Sequence, residues 1–256
     1  MPVDRQLYNE NLTKTRAPNW PCPTCGGGHY RINKDSLNFD MDSATRESVH
    51  LEWFGPEHYS YKFVVTAECD NDACKEFATI AGVGRVEEYG DWETQKIEYF
   101  EKFQPKYFSP SPRLITIPKS CPSEIIVELD KAFTNSWEDY SSSGNHLRSA
   151  VERLLDDLKI KASVVKRNKR TRLSLHDRIV QLQTTLPEIH DFLLAIKWMG
   201  NAGSHADNLS RDQLFDAFDV FEEVLRIIYA KHPNAVRKIV KAVNLKRGPI
   251  NNRNIF

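Results

Sequence analysis

The sequence Cys22-Pro-Thr-Cys25 and the later sequence Cys69-Asp-Asn-Asp-Ala-Cys74 decide the fold of the N-terminal half. Tetrahedral coordination of one ion by four thiolates requires two such pairs, because each pair directs two sulfurs to a single point about 2.3 Å away. Three consecutive glycines, beginning with Gly26, let the chain turn tightly behind the first pair. We therefore expect a Zn²⁺ site formed by all four cysteines. It should be structural, since four thiolates leave no open coordination position for chemistry.

Three other interpretations of the cysteines are open at this stage. His29 could replace one cysteine as a ligand. The first pair could be a redox motif, although the strand-to-helix context typical of such motifs is missing. The cysteines could also be buried thiols without a metal, which is the interpretation that we prefer for the unpaired Cys121.

The segment around and between the cysteine pairs favours β-strands, from residue 30 to residue 100. Runs of β-branched and aromatic residues alternate there with Gly, Pro and Asn breaks. Strands are predicted at residues 48–54, 61–67, 77–83 and 94–100. Residues 1–105 are therefore expected to form a small antiparallel, zinc-ribbon-like β module.

The pattern changes after residue 105. Five prolines lie between residues 105 and 122, and proline excludes regular helix and central strand, so residues 106–122 are predicted to be an extended connector. Apolar residues then recur with helical period, which predicts an all-α domain over residues 123–256 and an α+β chain. Apolar stripes predict helices around residues 125–133, 147–158 and 175–182, and the second of these helices is expected to start within the serine cluster of residues 141–143. Further helices are predicted from Pro187, from Ser210 with Gln213 as its capping-box partner, and from near Pro233.

Four segments of the C-terminal half carry a resemblance to a known family. They are LRSAVERLL (residues 147–155), IKWMGNAGSH (196–205), ITIPKSCP (115–122) and LSLHDRIVQLQ (173–183). Together they resemble the bacterial domain of unknown function 4145. The resemblance implies a HEPN-like (higher eukaryotes and prokaryotes nucleotide-binding) helical bundle, homodimerisation through its helices, and a defence-system partner in restriction or anti-phage defence.

The segments that carry the resemblance contain four polar residues that are expected to form a cluster. They are Arg148, Glu152, Asn201 and His205. Arg148 and Glu152 are four residues apart and can pair on one helix face. These side chains could simply fix the packing of the helices. Alternatively, catalytic HEPN proteins cleave RNA with an Arg and a His four to six residues apart, which would make His205, Asn201 and Lys197 the catalytic residues. This chain departs from that pattern, because its nearest cation is Lys197, and a lysine lacks the planar fork of arginine.

A short basic segment lies between the second and third predicted helices. Its cations suit contacts with the phosphates of RNA or DNA, and the absence of interleaved aromatic residues argues against base stacking. A solvated loop is the alternative. The residues are Lys166, Arg167, Lys169, Arg170 and Arg172.

The net charge of zero conceals an uneven distribution along the chain. Residues 1–105 carry 11 basic and 18 acidic side chains, a balance of −7, whereas residues 106–256 carry 24 and 17, a balance of +7. Residues 231–256 contain seven Lys or Arg and no acid. The basic half could bind a polyanion or touch the acidic half.

The functional prediction is a non-catalytic binding protein, associated with defence, that contacts nucleic acid or a partner protein. The alternative is a HEPN-type, metal-independent endoribonuclease that uses His205. No phosphate-binding loop, dinucleotide fingerprint or nucleophile elbow is present in the sequence, so other enzyme classes have no support. No apolar run approaches the roughly 20 residues of a membrane span, and a cytoplasmic location is expected.

Overall fold

The computed structural model of the chain describes residues 4–91, 96–166, 169–202, 209–230 and Leu245. These residues form a mixed α+β structure, with an antiparallel sheet first and helices after it, as the sequence predicted. The strands are β1 (Tyr30–Met41), β2 (Ser60–Cys69), β3 (Phe77–Asp91), β4 (Lys96–Ser109), β5 (Ser163–Lys166) and β6 (Lys169–Arg172). The helices are α1 (Gln6–Asn9), α2 (Ser43–Ser48), α3 (Ser123–Asn135), α4 (Tyr140–Asp157), α5 (Leu175–Val180), α6 (Pro187–Ala202) and α7 (Arg211–Tyr229).

The N-terminal sheet is a four-stranded meander in the order β1-β2-β3-β4. Alternate residues of β2, namely Phe63, Val65 and Ala67, are buried, while their neighbours are more exposed. This period of two follows from the alternating direction of side chains along a strand. The predicted strands at residues 61–67 and 77–83 are confirmed, and β4 contains most of the one predicted at 94–100.

The strand predicted at residues 48–54 is wrong. The carboxylate of Asp42 accepts a hydrogen bond from the Thr45 backbone N–H at 2.9 Å and caps α2, which ends at Ser48. Turns follow α2, and the described backbone of residues 49–54 pairs with no strand. The Trp53 ring packs against the His58 ring, with 5.3 Å between the ring centroids. The strand that pairs with β2 is β1, whose many polar residues weakened its signal in the sequence.

Pro105 lies within β4, opposite Gly82 of β3. Proline is tolerated there because β4 is the last strand of the sheet. A Cβ atom on Gly82 would lie 2.1 Å from the carbonyl oxygen of Gln104, so the close approach of the two strands requires glycine. β4 continues through Pro105 and ends at Ser109.

The helices follow the predicted periodicity closely. Ser210 caps α7, and its reciprocal hydrogen bonds with Gln213 form the predicted capping box. α6 begins at Pro187, as predicted. α4 begins at Tyr140, just before the serine cluster in which its start was predicted, because the carboxylate of Asp139 caps it. The helix predicted from Pro233 lies outside the described residues. Within the described part of the chain, no helix is both long and apolar enough to cross a membrane.

An aromatic cluster joins the sheet to the helices. Trp137, between α3 and α4, has its ring centroid 4.9 Å from that of Phe108 in β4 and 4.5 Å from that of Tyr8 in α1. Trp20 lies 5.0 Å from Phe108, and Phe215 of α7 lies 5.0 Å from Tyr8. All five rings are buried. The hydrophobic core therefore runs without interruption from the sheet into the helices.

Candidate metal centre

The four paired cysteines meet at one end of the N-terminal sheet. Cys22 and Cys25 lie on a turn before β1, where Pro21 and His29 form a β-bridge. Cys69 is the last residue of β2, and Cys74 lies on the turn that leads to β3. The pairing of Tyr30 with Cys69 at the start of β1 places the two turns side by side.

The sulfur atoms have the spacing of a tetrahedral thiolate site. The Sγ atoms of Cys22 and Cys74 are 3.8 Å apart, those of Cys25 and Cys69 are 3.7 Å apart, and all four lie within 4.8 Å of one another. Four sulfurs at about 2.3 Å from a central ion would be about 3.8 Å apart, whereas a disulfide would place them at about 2.05 Å. The arrangement therefore fits one metal ion held by four cysteines.

Backbone hydrogen bonds favour the thiolate form of Cys25, whereas burial opposes the thiolate form of Cys69. Hydrogen bonds from the backbone N–H groups of Gly27 and Gly28 lower the pKa of the Cys25 thiol to about 6. Burial raises the pKa of the Cys69 thiol to about 12. A buried thiol of this kind becomes a ligand only when the charge of a metal ion stabilises its thiolate. Metal binding and ionisation of the cluster are therefore linked.

Two residues that are not ligands build the turns around the sulfurs. A Cβ atom on Gly28 would lie 2.4 Å from the Sγ atom of Cys69, so only glycine fits between the turns. The carboxylate of Asp70 accepts a hydrogen bond from the backbone N–H of His29 at 2.8 Å and pairs with Arg31 at 2.8 Å. The three consecutive glycines marked this turn in the sequence, but the role of Asp70 becomes visible only when the two turns are adjacent.

The structure bears on the two alternative metal and redox interpretations. The group of ligand atoms found among the described residues consists of the four cysteines and does not include His29. The first pair lies on a turn that leads into a strand, and neither Cys22 nor Cys25 forms a disulfide. This geometry differs from the helix N-terminus of a redox Cys-x-x-Cys motif.

The polar cluster predicted from the family resemblance is described in part. On α4, the Arg148 Nε atom lies 3.9 Å from a carboxylate oxygen of Glu152, which confirms the expected neighbours. Glu152 also pairs with Arg172 of β6 at 3.3 Å, a contact that the sequence did not indicate. Asn201 lies in the last turn of α6, and His205 lies outside the described residues.

Lys197, the remaining candidate of the ribonuclease interpretation, lies on the half-buried side of α6. Its Nζ atom is 3.4 Å from the centroid of the Trp198 ring. The lysine charge is therefore engaged in a cation–π contact with an exposed indole. The ribonuclease interpretation stays a prediction.

The basic segment between α4 and α5 forms an antiparallel hairpin of β5 and β6. Lys169, Arg170 and Arg172 all lie on β6, every residue of which is exposed. Lys166 is the last residue of β5, and Arg167 lies outside the described residues. The segment is thus a regular hairpin, and its cations remain solvated.

Comparisons with known families match each half of the chain separately. Residues 10–108 match the family described as Domain of unknown function (DUF8608). Residues 130–246 match the family described as Domain of unknown function (DUF4145), which confirms the resemblance of the helical half. No curated protein and no solved structure matches the chain.

Proposed function

We propose that the protein is a non-catalytic nucleic-acid-binding protein whose N-terminal sheet is stabilised by one structural Zn²⁺ ion. The observation that carries the binding function is the exposed basic hairpin of β5 and β6. Every residue of β6 is exposed, and Arg172 pairs with Glu152 of α4, so the hairpin lies on the surface of the helical half. Four thiolates occupy all the positions of a tetrahedral zinc site, so the metal supports the fold and takes no part in chemistry.

The hairpin has the form and the charge of a phosphate-binding arm. Lys169, Arg170 and Arg172 follow one another along β6 and are exposed. On the paired strand, Val165 is 72% exposed, and no aromatic side chain lies on the described hairpin. A two-stranded ribbon of this kind fits a nucleic-acid groove, and cations without aromatic residues favour backbone contacts over base stacking.

Zinc is the metal that best fits the cysteine cluster. Tetrahedral sites with four sulfurs select zinc or iron, and zinc is the usual occupant of a site formed by two cysteine turns at the end of a sheet. The chemistry that it would supply is stabilisation of the thiolate forms of the four cysteines, since the ion offsets two of their four negative charges. We infer a zinc-ribbon-like module on this basis.

The match of the helical half supports further proposals about its setting. We infer that this half is a HEPN-like bundle that forms a homodimer through its helices. We also infer that the protein works in the cytoplasm with partners of an anti-phage or restriction system. Each of these rests on the family resemblance of residues 130–246.

The nucleic-acid function is tested by titrating labelled RNA and DNA with the full chain at several salt concentrations. Binding should weaken steeply with salt, because phosphate contacts release counterions. The salt slope is the slope of the logarithm of the binding constant against the logarithm of the salt concentration. Replacing Lys169, Arg170 and Arg172 with alanine should make this slope less steep by about one for each phosphate that the three side chains neutralise. The assay buffer contains no free chelator, so that the zinc site remains loaded.

A second triple variant provides the control. Lys34, Arg46 and Arg85 are one lysine and two arginines, are exposed like the hairpin cations, and lie on the N-terminal sheet and α2. Their replacement with alanine should leave the salt slope unchanged. Equal effects of the two triple variants would overturn the hairpin as the binding element. RNA cleavage in EDTA that disappears in His205→Ala would instead establish the ribonuclease.

A further inference from the structure

A cavity of about 490 Å³ lies between α4, the start of α5 and the basic hairpin. Its volume is within the range of small-molecule sites. Four arginines from three elements line it, together with two carboxylates, all from residues 152–178. The charged residues are Glu152, Arg153, Asp156, Arg170, Arg172 and Arg178.

The carboxylates of the cavity are already shared between arginines. Asp156 contacts Arg178 at 2.7 Å and Arg153 at 3.6 Å. Glu152 contacts Arg172 at 3.3 Å and, outside the cavity, Arg148 at 3.9 Å. Four positive and two negative side chains give the cavity a net charge of +2. The positive charge within the cavity therefore exceeds the negative charge by two.

Arg178 is a fixed cation at the edge of this cavity. Its side chain is only 6% exposed, and its Nη2 atom donates to Asp156 and to the carbonyl oxygen of Ile160 at 3.3 Å. Among the described residues, its buried Nε atom has no hydrogen-bond partner. α5, which carries Arg178, is anchored by a capping box at Ser174. A guanidinium held in place with an unused donor is preorganised to bind an oxyanion.

We propose that this cavity binds a phosphate monoester carried by a nucleoside, namely the terminal phosphate of a nucleic-acid strand. A monoester carries a charge of about −1.5 to −2 at pH 7, which matches the cavity better than the single charge of an internal phosphate. β6 supplies two of the cavity arginines and is exposed along its whole length. A nucleic-acid strand that lies along the hairpin would therefore have its end at the cavity. The inference rests on the proposed function for that reason.

The test compares one single-stranded RNA in three forms, with a 5′-phosphate, with a 3′-phosphate and without a terminal phosphate. Affinity is measured by fluorescence anisotropy with an internal label. At least one phosphorylated form should bind about tenfold more tightly than the unphosphorylated strand. Equal binding of all three forms would overturn the inference and leave the proposed function standing.

Charge variants locate the preference in the cavity. Arg153→Gln should abolish the preference for the phosphorylated end, whereas Glu152→Gln should increase it, because it removes a competing anion. Arg46→Gln is the matched control, since Arg46 and Arg153 are both 55% exposed in ion pairs with an aspartate. Identical behaviour of the Arg153 and Arg46 variants would contradict the assignment.

A second readout separates failure of the inference from failure of the proposed function. If no RNA form binds and no DNA binds in the titration described above, the proposed function fails, and adenosine 5′-monophosphate is then titrated against thermal unfolding of the full chain. A rise in melting temperature that adenosine does not produce, and that Arg153→Gln removes, would show a free nucleotide as the ligand of the cavity. The absence of any rise would overturn the phosphate site itself.

Discussion

Gly28 contacts the metal centre directly without being one of its ligands. At this position the Cβ atom of alanine would overlap the Sγ atom of Cys69 at 2.4 Å and would also lie 2.9 Å from the Cβ atom of Asn71. The two cysteine turns would have to separate, and the sulfurs would leave their tetrahedral spacing. Metal binding therefore requires a glycine at position 28 as well as the four cysteine ligands.

We predict that Gly28→Ala weakens zinc binding by about tenfold or more, a loss typical of changes just outside a ligand set. The measurement is competition with a chromogenic chelator. Gly27→Ala is the control, because a Cβ atom at Gly27 meets nothing within 4 Å. Equal zinc affinities of the two variants would contradict the geometry of the turns.

Asp139 controls the start of α4, the helix that packs along α3. Its carboxylate accepts hydrogen bonds from the backbone N–H of Ser142 at 2.8 Å and from the Ser142 hydroxyl. These bonds lower the pKa of Asp139 below its ordinary value. Because the pKa is lower in the folded state, the stabilisation is complete above the unfolded-state pKa and is lost as the pH falls through the folded-state pKa.

We predict that Asp139→Ala lowers the free energy of unfolding by about 1 kcal/mol at pH 7, as expected for loss of a helix cap. The difference from the wild type should shrink well below pH 4, where the carboxylate becomes protonated. Asp139→Asn should keep the cap and remove this pH dependence. Urea unfolding of the three proteins across pH measures both effects. A difference between wild type and the alanine variant that stays constant at low pH would contradict the role of the carboxylate.

Most helices could be predicted from the sequence alone, whereas one strand and the arginine cavity could not. Helices α3 to α7 were predictable because their apolar stripes and caps, such as Ser210 with Gln213, are local signals. The wrong strand prediction at residues 48–54 also rested on a local pattern, a run of apolar and aromatic residues. The helix capped by Asp42 ends at Ser48, and turns occupy the rest of that segment. The cysteine site was predictable because its spacing encodes the coordination. The arginine cavity was not, since Arg153 and Arg178 meet only through the packing of α5 on α4.

The whole molecule is held together by the aromatic cluster around Trp137. Trp137 is 5% exposed, contacts rings of the sheet and of α1, and donates a hydrogen bond from its Nε1 atom to the Ser111 hydroxyl at 3.0 Å. The N-terminal segment is also tied to α7, because Arg211 donates to the carbonyl oxygen of Tyr8 at 3.2 Å. Such contacts couple the stability of the two halves.

We predict that Trp137→Ala costs about 3–5 kcal/mol and that the loss is felt in both halves of the chain. Amide hydrogen exchange should accelerate in β3 as well as in α4. Trp198→Ala, at a residue that is 59% exposed, should change stability by only about 0.5 kcal/mol. Accelerated exchange confined to the helices would show that the halves are stable independently.

Whether four cysteines hold one zinc ion is decided by the metal content of the purified protein. Elemental mass spectrometry should find one zinc per chain, and the Cys69→Ser variant should lose it. Protein that folds normally with no zinc, or zinc that persists in the Cys69→Ser variant, would show that the four cysteines do not form a structural zinc site.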